Sequence, residues 1–222
     1  MSQRDDVAVA ARRLAGEGLL IGTSGNVSLR VGDLVAVTGS GVVLGETGPS
    51  EVVVVRLDGS SVEGSLPPTS ELDLHLGVYA DRPDVGAVVH THAPYSTAVS
   101  CVLAELPVLH YQHLLLGGAT RVAPYATFGS PELAAHVRVA LEGRQAALMA
   151  NHGSVAIGAT LGQALEHAVL LEWLCTLHHR ASALGPVRPL TDEQQTEVVL
   201  AALARNHGGR RATESTDSNE EN

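Results

Sequence analysis

The sequence predicts an α/β protein, a single-domain α/β/α sandwich with a mixed, largely antiparallel central sheet. Segments of strand-like composition interleave with segments whose apolar residues recur at helical spacing. The interleaving does not follow a strict β-α-β repeat, which would have indicated a parallel sheet. No internal repeat or linker divides the 222 residues, and a chain of this length can enclose one substantial core. We therefore expect one domain over residues 1–208.

Apolar spacing and turn residues predict the first elements. Apolar residues from Val7 to Leu14 recur at helical spacing, and the glycines at positions 16 and 18 end this helix. The segments NVSLRV and LVAV predict two short strands on either side of a turn at Gly32. The segment EVVVVRL predicts a third strand, closed by Asp58 and Gly59.

A helix is predicted after the two prolines of LPP. Thr69 and Ser70 stand where a helix N-cap belongs, and Asp73 completes a capping box for a helix that runs to about Ala80. The segment VGAVVHTH then predicts a strand, because its valines and its lack of breakers fit a half-buried sheet better than one helical turn.

The second half of the chain continues the alternation. Pro94 begins a short helix, and Ser130 followed by proline is a strong helix start, since the missing amide would be unpaired there anyway. The segment AALMANHGSVAIG predicts a strand, a tight turn and a second strand. Thr160 opens the longest predicted helix, which ends near Leu184, and Thr191 caps the last one.

The charge distribution excludes several classes of function. The net charge of -10 argues against nucleic-acid binding, which depends on clustered basic residues. Part of that charge lies in TESTDSNEEN, so we expect residues 209–222 to form a disordered acidic tail. All 14 basic residues are arginine. Without lysine, Schiff-base chemistry on a side-chain amine and a P-loop are both excluded.

The composition also predicts a cytoplasmic protein. The N-terminus has no leader with a charged and an apolar part, and no apolar run approaches the roughly 18 residues of a membrane span. Cys101 and Cys175 lie in predicted helices and are too few for a disulfide framework, which indicates a reducing compartment. We expect both thiols to be buried, and we expect neither a membrane nor a nucleic acid as a partner.

Two histidines one residue apart mark a candidate site. On a strand, His90 and His92 project from the same face, so both rings can reach one point. Imidazole is the commonest metal ligand, and zinc takes three or four donors. His152, in a turn before glycine, is a third candidate, and Glu71 is a fourth. The alternative is a structural histidine pair and a turn histidine, with no metal. We expect core or helix-surface roles for the remaining histidines: His75, His110, His113, His136, His167, His178, His179 and His207.

Three loops of small residues are candidates for binding an anion. The segments GTSGNVS (22–28), TGSG (38–41) and PTS (68–70) combine glycine with hydroxyl or amide side chains, which lets backbone N–H groups approach an anion. The last loop also begins a predicted helix, whose N-terminus favours phosphate. No arginine lies inside these loops, so such a site would use neutral donors. Ordinary turn chemistry is the alternative for each loop.

Taken in order, these motifs resemble the class II aldolase/adducin family, most closely its fuculose-phosphate aldolase branch. The resemblance covers about residues 5–206, and the ordered set is far more specific than any single motif. The segments that carry it are GTSGNVSLR, TGSG, LPPTSELDLH, RPDVGAVVHTHAPYSTAVS, LPVLHY, APYATFGSPELAAHV and NHGSVAIG.

The resemblance implies a zinc-dependent lyase with one metal ion per subunit. His90, His92 and His152 would be metal ligands, and Glu71 would be a fourth ligand that leaves when substrate binds and then acts as general acid/base. Three nitrogens and one oxygen also suit cobalt, manganese or iron, so the identity of the metal stays open. Six residues of the small-residue loops would hold the substrate phosphate: Gly25, Asn26, Ser40, Gly41, Thr69 and Ser70.

The resemblance also implies a homotetramer with sites at subunit interfaces. Tyr111 would reach into a neighbouring subunit's site as proton donor. The implied reaction is the reversible cleavage of a ketose 1-phosphate, such as L-fuculose 1-phosphate, to dihydroxyacetone phosphate and a short aldehyde. His207 stands where the branch has a tyrosine that lines the aldehyde pocket, so another sugar phosphate, such as a deoxypentulose phosphate, stays open.

Other functions fit the same resemblance. They are a pentulose-phosphate 4-epimerase or a methylthioribulose-phosphate dehydratase on the same metal site, and a non-enzymatic adducin-like module. Glu71 favours the aldolase, because epimerase relatives resemble this pattern but tend to carry aspartate there. The expected chemistry also favours a metal-dependent aldolase. Cleavage of a carbon–carbon bond beside a carbonyl leaves an enediolate, and without lysine a Lewis-acid cation is the remaining common means of stabilising its negative charge.

Overall fold

The computed structural model describes residues 2–216, with side chains described to residue 205. The helices are α1 (Gln3–Gly16), α2 (Leu72–Asp81), α3 (Pro94–Ser100), α4 (Pro131–Ala140), α5 (Leu161–Leu184) and α6 (Asp192–Thr216). The strands are β1 (Asn26–Val31), β2 (Leu34–Thr38), β3 (Val52–Arg56), β4 (Ser61–Glu63), β5 (Ala87–Thr91), β6 (Glu105–Leu106), β7 (Thr120–Ala123), β8 (Ala146–Met149) and β9 (Gly153–Gly158).

The described strands form one open sheet in the order β4-β3-β2-β1-β5-β9-β8-β7-β6. Neighbouring strands run antiparallel except β7 and β8, which are parallel. The predicted mixed, largely antiparallel sheet is therefore confirmed. Strand β5, which carries the two closely spaced histidines, lies at the centre between β1 and β9.

Helices cover both faces of the sheet, which confirms the α/β/α sandwich. Strand β3 shows how the sequence builds both layers, because successive side chains of a strand point to opposite faces. Val52 and Val54 pack into the core beneath α1, α3 and α5, whereas Val53 and Val55 pack into the core beneath α2 and α4. Burial on both faces explains the unbroken run of valines.

Three of the predicted helix starts are confirmed by their caps. The side chains of Ser130, Thr160 and Thr191 each accept a hydrogen bond from the backbone N–H three residues further on, at 3.1, 3.2 and 3.3 Å. Each bond satisfies one amide that has no partner within the first helical turn. Short polar side chains before an apolar run were therefore reliable signals at these positions.

The predicted cap of α2 is wrong. The helix begins at Leu72 with Glu71 at its N-cap position, no side chain caps it, and Asp73 forms no capping box. The Thr69 hydroxyl instead accepts hydrogen bonds from the Asn26 side chain at 3.0 Å and from the Glu71 backbone at 3.3 Å. A competing polar contact from β1 thus draws the expected capping hydroxyl away from the helix.

The prediction for the cysteines is only half right. Cys175 is buried in α5, and burial raises the pKa of its thiol to about 12. Cys101 is exposed; it lies at the C-cap of the short helix α3, directly before the exposed Val102. Both cysteines are free thiols, in agreement with the absence of a disulfide framework.

Two further predictions concern the membrane and the C-terminus. Among the described helices, none has both the length and the apolar character needed to cross a bilayer. Helix α6 continues to Thr216, but the side chain of His207 and residues 217–222 lie outside the described residues. The domain boundary at residue 208 and the acidic tail over 209–222 therefore stay predictions.

Candidate active site

The centre of the sheet brings together histidines that are far apart in the sequence. His90 lies on β5 in register with Asn26 of β1 on one side and with Val155 of β9 on the other. His92 follows β5 by one residue, and His152 lies in the turn just before β9. The antiparallel pairing of β5 with β9 therefore places all three imidazoles at the same end of neighbouring strands.

The three imidazoles converge on one point. One nitrogen from each ring lies within 4.8 Å of a nitrogen of the others, and the Nε2 atoms of His90 and His92 are 2.9 Å apart. Glu71 joins them: its Oε2 is 3.0 Å from His90 Nε2 and its Oε1 is 3.5 Å from His152 Nε2. The four predicted metal ligands are thus brought together.

Two glycines allow this close approach. A Cβ at Gly153 would lie 2.2 Å from the backbone oxygen of Thr91, so only glycine lets β9 pack this tightly beside the end of β5. Gly25 has a φ of 97°, and a Cβ there would lie 2.9 Å from the backbone oxygen of His90. Both glycines, which belong to the predicted motifs, therefore let neighbouring backbone pack closely against β5, the strand that carries His90.

Hydrogen bonds also orient His90. Its Nδ1–H donates to the backbone oxygen of Ser154 at 2.9 Å, which leaves Nε2 to face the other imidazoles. The ring is fully buried. A second ring nitrogen fixed by a backbone carbonyl is the usual support of a metal-binding histidine.

The electrostatics of the cluster follow from burial and from the one carboxylate. Burial would raise the pKa of Glu71, but the adjacent His90 and hydrogen bonds from His90 and Asn26 outweigh it and hold that pKa well below its usual range. Burial lowers the pKa of His92 to about 3, helped by His90 and His152. Burial also lowers the pKa of His152. Glu71 is therefore ionised, while His92 and His152 are neutral and able to donate a lone pair.

The donor set fits a divalent transition metal. Three imidazole nitrogens and one carboxylate oxygen match the ligands that zinc takes in tetrahedral sites. Glu71 Oε1 is buried and has no hydrogen-bond partner in the protein. A buried carboxylate oxygen without a partner is costly unless a cation or proton occupies its lone pairs. The residues that would hold the ion are His90, His92, His152 and Glu71.

A cavity of about 480 Å³ opens beside these side chains. It is lined by Glu71, His92 and His152 and by all six residues predicted to hold a phosphate. Those six are Gly25, Asn26, Ser40, Gly41, Thr69 and Ser70. None of the described residues that line the cavity is an arginine, so any anion there meets neutral donors and the histidine cluster. The structure thus brings the three loops together, and their role in phosphate binding stays a prediction.

Sequence reasoning missed several residues of the cavity wall. Tyr125 and Phe128 line it and are 65% and 68% exposed, although aromatic side chains are rare in this chain. Both lie in APYATFGSPE, which contributed to the family resemblance and to the helix start at Ser130 but yielded no candidate site residue. Asn151 also lines the cavity, and its φ of 56° forms the turn that presents His152.

Tyr111 lies apart from the cluster. It begins a 3₁₀ helix, is 54% exposed, and borders a separate surface cavity together with Leu190 and Gln194 near the start of α6. Within one chain it does not line the cavity that contains the histidines. Its predicted role requires a neighbouring subunit, and that role stays a prediction.

The fold and the site define a class of protein: an open α/β/α sandwich with a histidine cluster that could hold a metal ion beside a polar cavity. The chain belongs to the class II aldolase and adducin family. The model of the Class II Aldolase and Adducin N-terminal domain matches residues 5–179, which include every candidate metal ligand. The family supports assignment of the protein as an aldolase, a lyase that uses a divalent metal.

Individual relatives show the same likeness over most of their length. The 5-methylthioribulose-1-phosphate/5-deoxyribulose-1-phosphate aldolase of Rhodospirillum rubrum is 40% identical over 191 residues, which are 86% of each chain. The L-fuculose phosphate aldolase of Escherichia coli K12 is 39% identical over 184 residues, 82% of this chain and 85% of that one. A solved structure of L-fuculose 1-phosphate aldolase matches with a TM-score of 0.85 at 34% identity, over 88% of this chain and 93% of that one.

Proposed function

We propose that the protein is a zinc-dependent aldolase that reversibly cleaves a ketose 1-phosphate, such as L-fuculose 1-phosphate, to dihydroxyacetone phosphate and a short aldehyde. The observation that carries the proposal is the convergence of three imidazoles and Glu71 at the floor of a polar cavity. The names of the similar enzymes support the same reaction type on related substrates.

The reaction needs two proton transfers around one broken bond. Cleavage between C3 and C4 removes a proton from the C4 hydroxyl, leaves the bonding electron pair on C3, and later adds a proton to C3. A metal ion held by the histidines supplies a Lewis acid that stabilises negative charge on the substrate oxygens. Glu71 faces the cavity as an ionised carboxylate, so it is placed to exchange a proton with C3.

Neutral donors of the small-residue loops would bind the phosphate. The Thr69 hydroxyl accepts hydrogen bonds from Asn26 and from the Glu71 backbone, which leaves its own hydrogen for an acceptor in the cavity. Ser40 and Gly41 border the same space from the opposite loop. A phosphate bound there would hold C1 of the ketose near the imidazoles without adding a buried positive charge.

Tyr111 would complete the site of a neighbouring subunit in a homotetramer. The exposed Tyr111 side chain does not line the histidine-containing cavity of its own subunit and borders a separate surface cavity. In the synthetic direction its hydroxyl would protonate the aldehyde oxygen as the new bond forms, and in cleavage it would take that proton back. Sedimentation analysis of the purified protein tests the tetramer, and a monomer would contradict this part of the proposal.

The size of the aldehyde distinguishes the candidate substrates. Cleavage after C3 gives a three-carbon aldehyde from a six-carbon deoxyketose and a two-carbon aldehyde from a 5-deoxypentulose. One relative is named for L-fuculose phosphate and another for 5-methylthioribulose and 5-deoxyribulose 1-phosphates. These enzymes are about equally similar to the chain, so we propose the shared class: ketose 1-phosphates with a short, unphosphorylated end.

A substrate panel on metal-loaded protein tests the proposal. Protein with measured zinc content is incubated with L-fuculose, 5-deoxyribulose and 5-methylthioribulose 1-phosphates, and the products are followed by NMR. We expect dihydroxyacetone phosphate and an aldehyde in equal amounts. An epimeric ketose phosphate or loss of water would identify an epimerase or a dehydratase instead. Protein that binds far less than one metal ion per chain would indicate a non-enzymatic module.

A further inference from the structure

A chain of buried hydrogen bonds leads from the interior of the protein to Glu71. Ser28 Oγ lies 2.7 Å from the Tyr79 hydroxyl and 2.6 Å from His75 Nδ1. His75 Nε2 lies 2.5 Å from Asn26 Oδ1. Asn26 Nδ2 then lies 3.0 Å from both Thr69 Oγ1 and Glu71 Oε2. The first three residues do not line the cavity, and His75 is fully buried.

The carboxylate fixes the direction of every bond in this chain. An ionised Glu71 only accepts hydrogen bonds, so Asn26 must turn its NH₂ group towards it and its Oδ1 towards His75. That oxygen also only accepts, so the proton of a neutral His75 lies on Nε2. Nδ1 is then an acceptor, and it takes the one hydroxyl proton of Ser28.

Neutral histidine is the form that this environment favours. Burial lowers the pKa of His75 to about 3, against the opposing effect of Glu71. If Nδ1 also carried a proton, it could no longer accept the hydroxyl proton of Ser28. That proton would then have to turn towards the Tyr79 hydroxyl. One arrangement of protons, with His75 neutral and protonated on Nε2, therefore satisfies every hydrogen bond in the chain from Ser28 to Glu71.

We propose that His75 is a positioning residue: as the Nε2–H tautomer it fixes the amide of Asn26, which in turn holds Glu71. This inference rests on the proposed function, in which Glu71 is a metal ligand and the acid/base. Because Asn26 donates to Oε2, the carboxylate presents Oε1, its oxygen without a hydrogen-bond partner, to the imidazole of His152. If the amide turned over, its oxygen would face the carboxylate and repel it.

The spacing of the residues in the sequence agrees with this arrangement. Glu71, the N-cap of α2, and His75 and Tyr79 within the helix are spaced four apart, which places them along one side. Asn26 and Ser28 are two apart on β1 and so share one face of that strand. A carboxylate, an imidazole and a phenol on one helical face therefore meet an amide and a hydroxyl on one strand face.

Two substitutions of similar polarity separate the proposed role from simple packing. In His75→Gln the side-chain amide places a donor near the position of Nε2, so the hydrogen bond to Asn26 is kept. In His75→Asn the shorter side chain reaches only the position of Nδ1, and that bond is lost. We expect His75→Asn to lower kcat and zinc affinity by about 10- to 100-fold, as for other residues that orient a metal ligand. His75→Gln should retain most of both.

His113 provides the matched control. It is also fully buried, and its Nε2 lies 2.8 Å from Thr120 Oγ1, away from the cavity. His113→Gln and His113→Asn should lower the unfolding temperature as the His75 variants do, yet leave kcat and zinc affinity unchanged. Equal kcat and equal zinc affinity in His75→Asn and His75→Gln would overturn the proposal.

Nitrogen NMR of the wild-type protein tests the tautomer without any variant. The proposal predicts a protonated Nε2 and a bare Nδ1 for His75 at neutral pH, in zinc-loaded protein. A proton on Nδ1 would refute it even if the variants failed to fold. A protein that cleaves none of the ketose phosphates would refute the proposed function instead, while the zinc titration and the tautomer would still decide the role of His75.

Discussion

The substitution Glu71→Gln gives the sharpest test of the site. It keeps the shape of the side chain and replaces one carboxylate oxygen by NH₂. The structure indicates which oxygen that is, because Asn26 donates to Oε2 at 3.0 Å and requires an acceptor there. The amide nitrogen of the variant must therefore take the place of Oε1, the atom with no hydrogen-bond partner. The base becomes a donor at the position that faces His152.

The expected loss follows from the loss of acid/base catalysis. Positioned general acids and bases contribute about 10²- to 10⁴-fold, which corresponds to about 3 to 5 kcal/mol in the barrier. We expect kcat to fall by that factor, measured by coupled detection of dihydroxyacetone phosphate. In protein prepared with excess zinc, the zinc content should stay near one ion per chain because the three imidazole nitrogens remain, although the loss of the carboxylate weakens the affinity. Metal analysis of the same preparation checks this.

Asp73→Asn is the control for the change of charge. Asp73 lies two residues further on in the first turn of α2, is exposed, and does not line the cavity. Its variant should keep both turnover and zinc. Near wild-type activity in Glu71→Gln would refute the assignment of Glu71 as acid/base, whereas loss of zinc would mean that the carboxylate is essential for holding the metal.

Three further outcomes follow from the site and its surroundings. His92→Ala should lose zinc and activity together, as judged by metal analysis and turnover, because a nitrogen donor is removed; activity without metal would contradict this. Tyr111→Phe should slow turnover by about a hundredfold without weakening zinc binding in a chelator titration, and an unchanged rate would remove Tyr111 from the mechanism. Burial lowers the pKa of His113 to about 4, so the unfolded chain takes up its proton at a higher pH than the folded chain does. The free energy of unfolding should therefore fall by up to about 3 kcal/mol from pH 6.5 to pH 4 in urea titrations, and His113→Gln should flatten that slope.

Much of the fold was predictable because its elements carry local signals. The four-valine strand, the Ser130-Pro131 helix start and the turn before Gly153 all have side chains whose preferences agree with the final structure. The short strands β4, β6 and β7 were missed, since two to four residues contain too little periodicity to detect. Their strand conformation is imposed by pairing with neighbours rather than by their own sequence.

The candidate site was predictable to the extent that its residues lie in motifs. His90 on β5 and His92 directly after it have the spacing of one strand face, and that spacing pointed to a common partner. The convergence of His152 depends on the pairing of β5 with β9, which no local pattern fixes. His75 was assigned to the core or surface because its partners Asn26 and Ser28 are more than forty positions away in the sequence.

The two borders of the sheet constrain how copies of this protein can associate. The outermost described strands, Ser61–Glu63 and Glu105–Leu106, are also the shortest, and a proline follows the second. Each border thus exposes few unpaired backbone groups to which a foreign strand could add. The edges of the sheet therefore disfavour association by strand addition, and the four-valine strand β3 lies inside, away from fibril-like stacking.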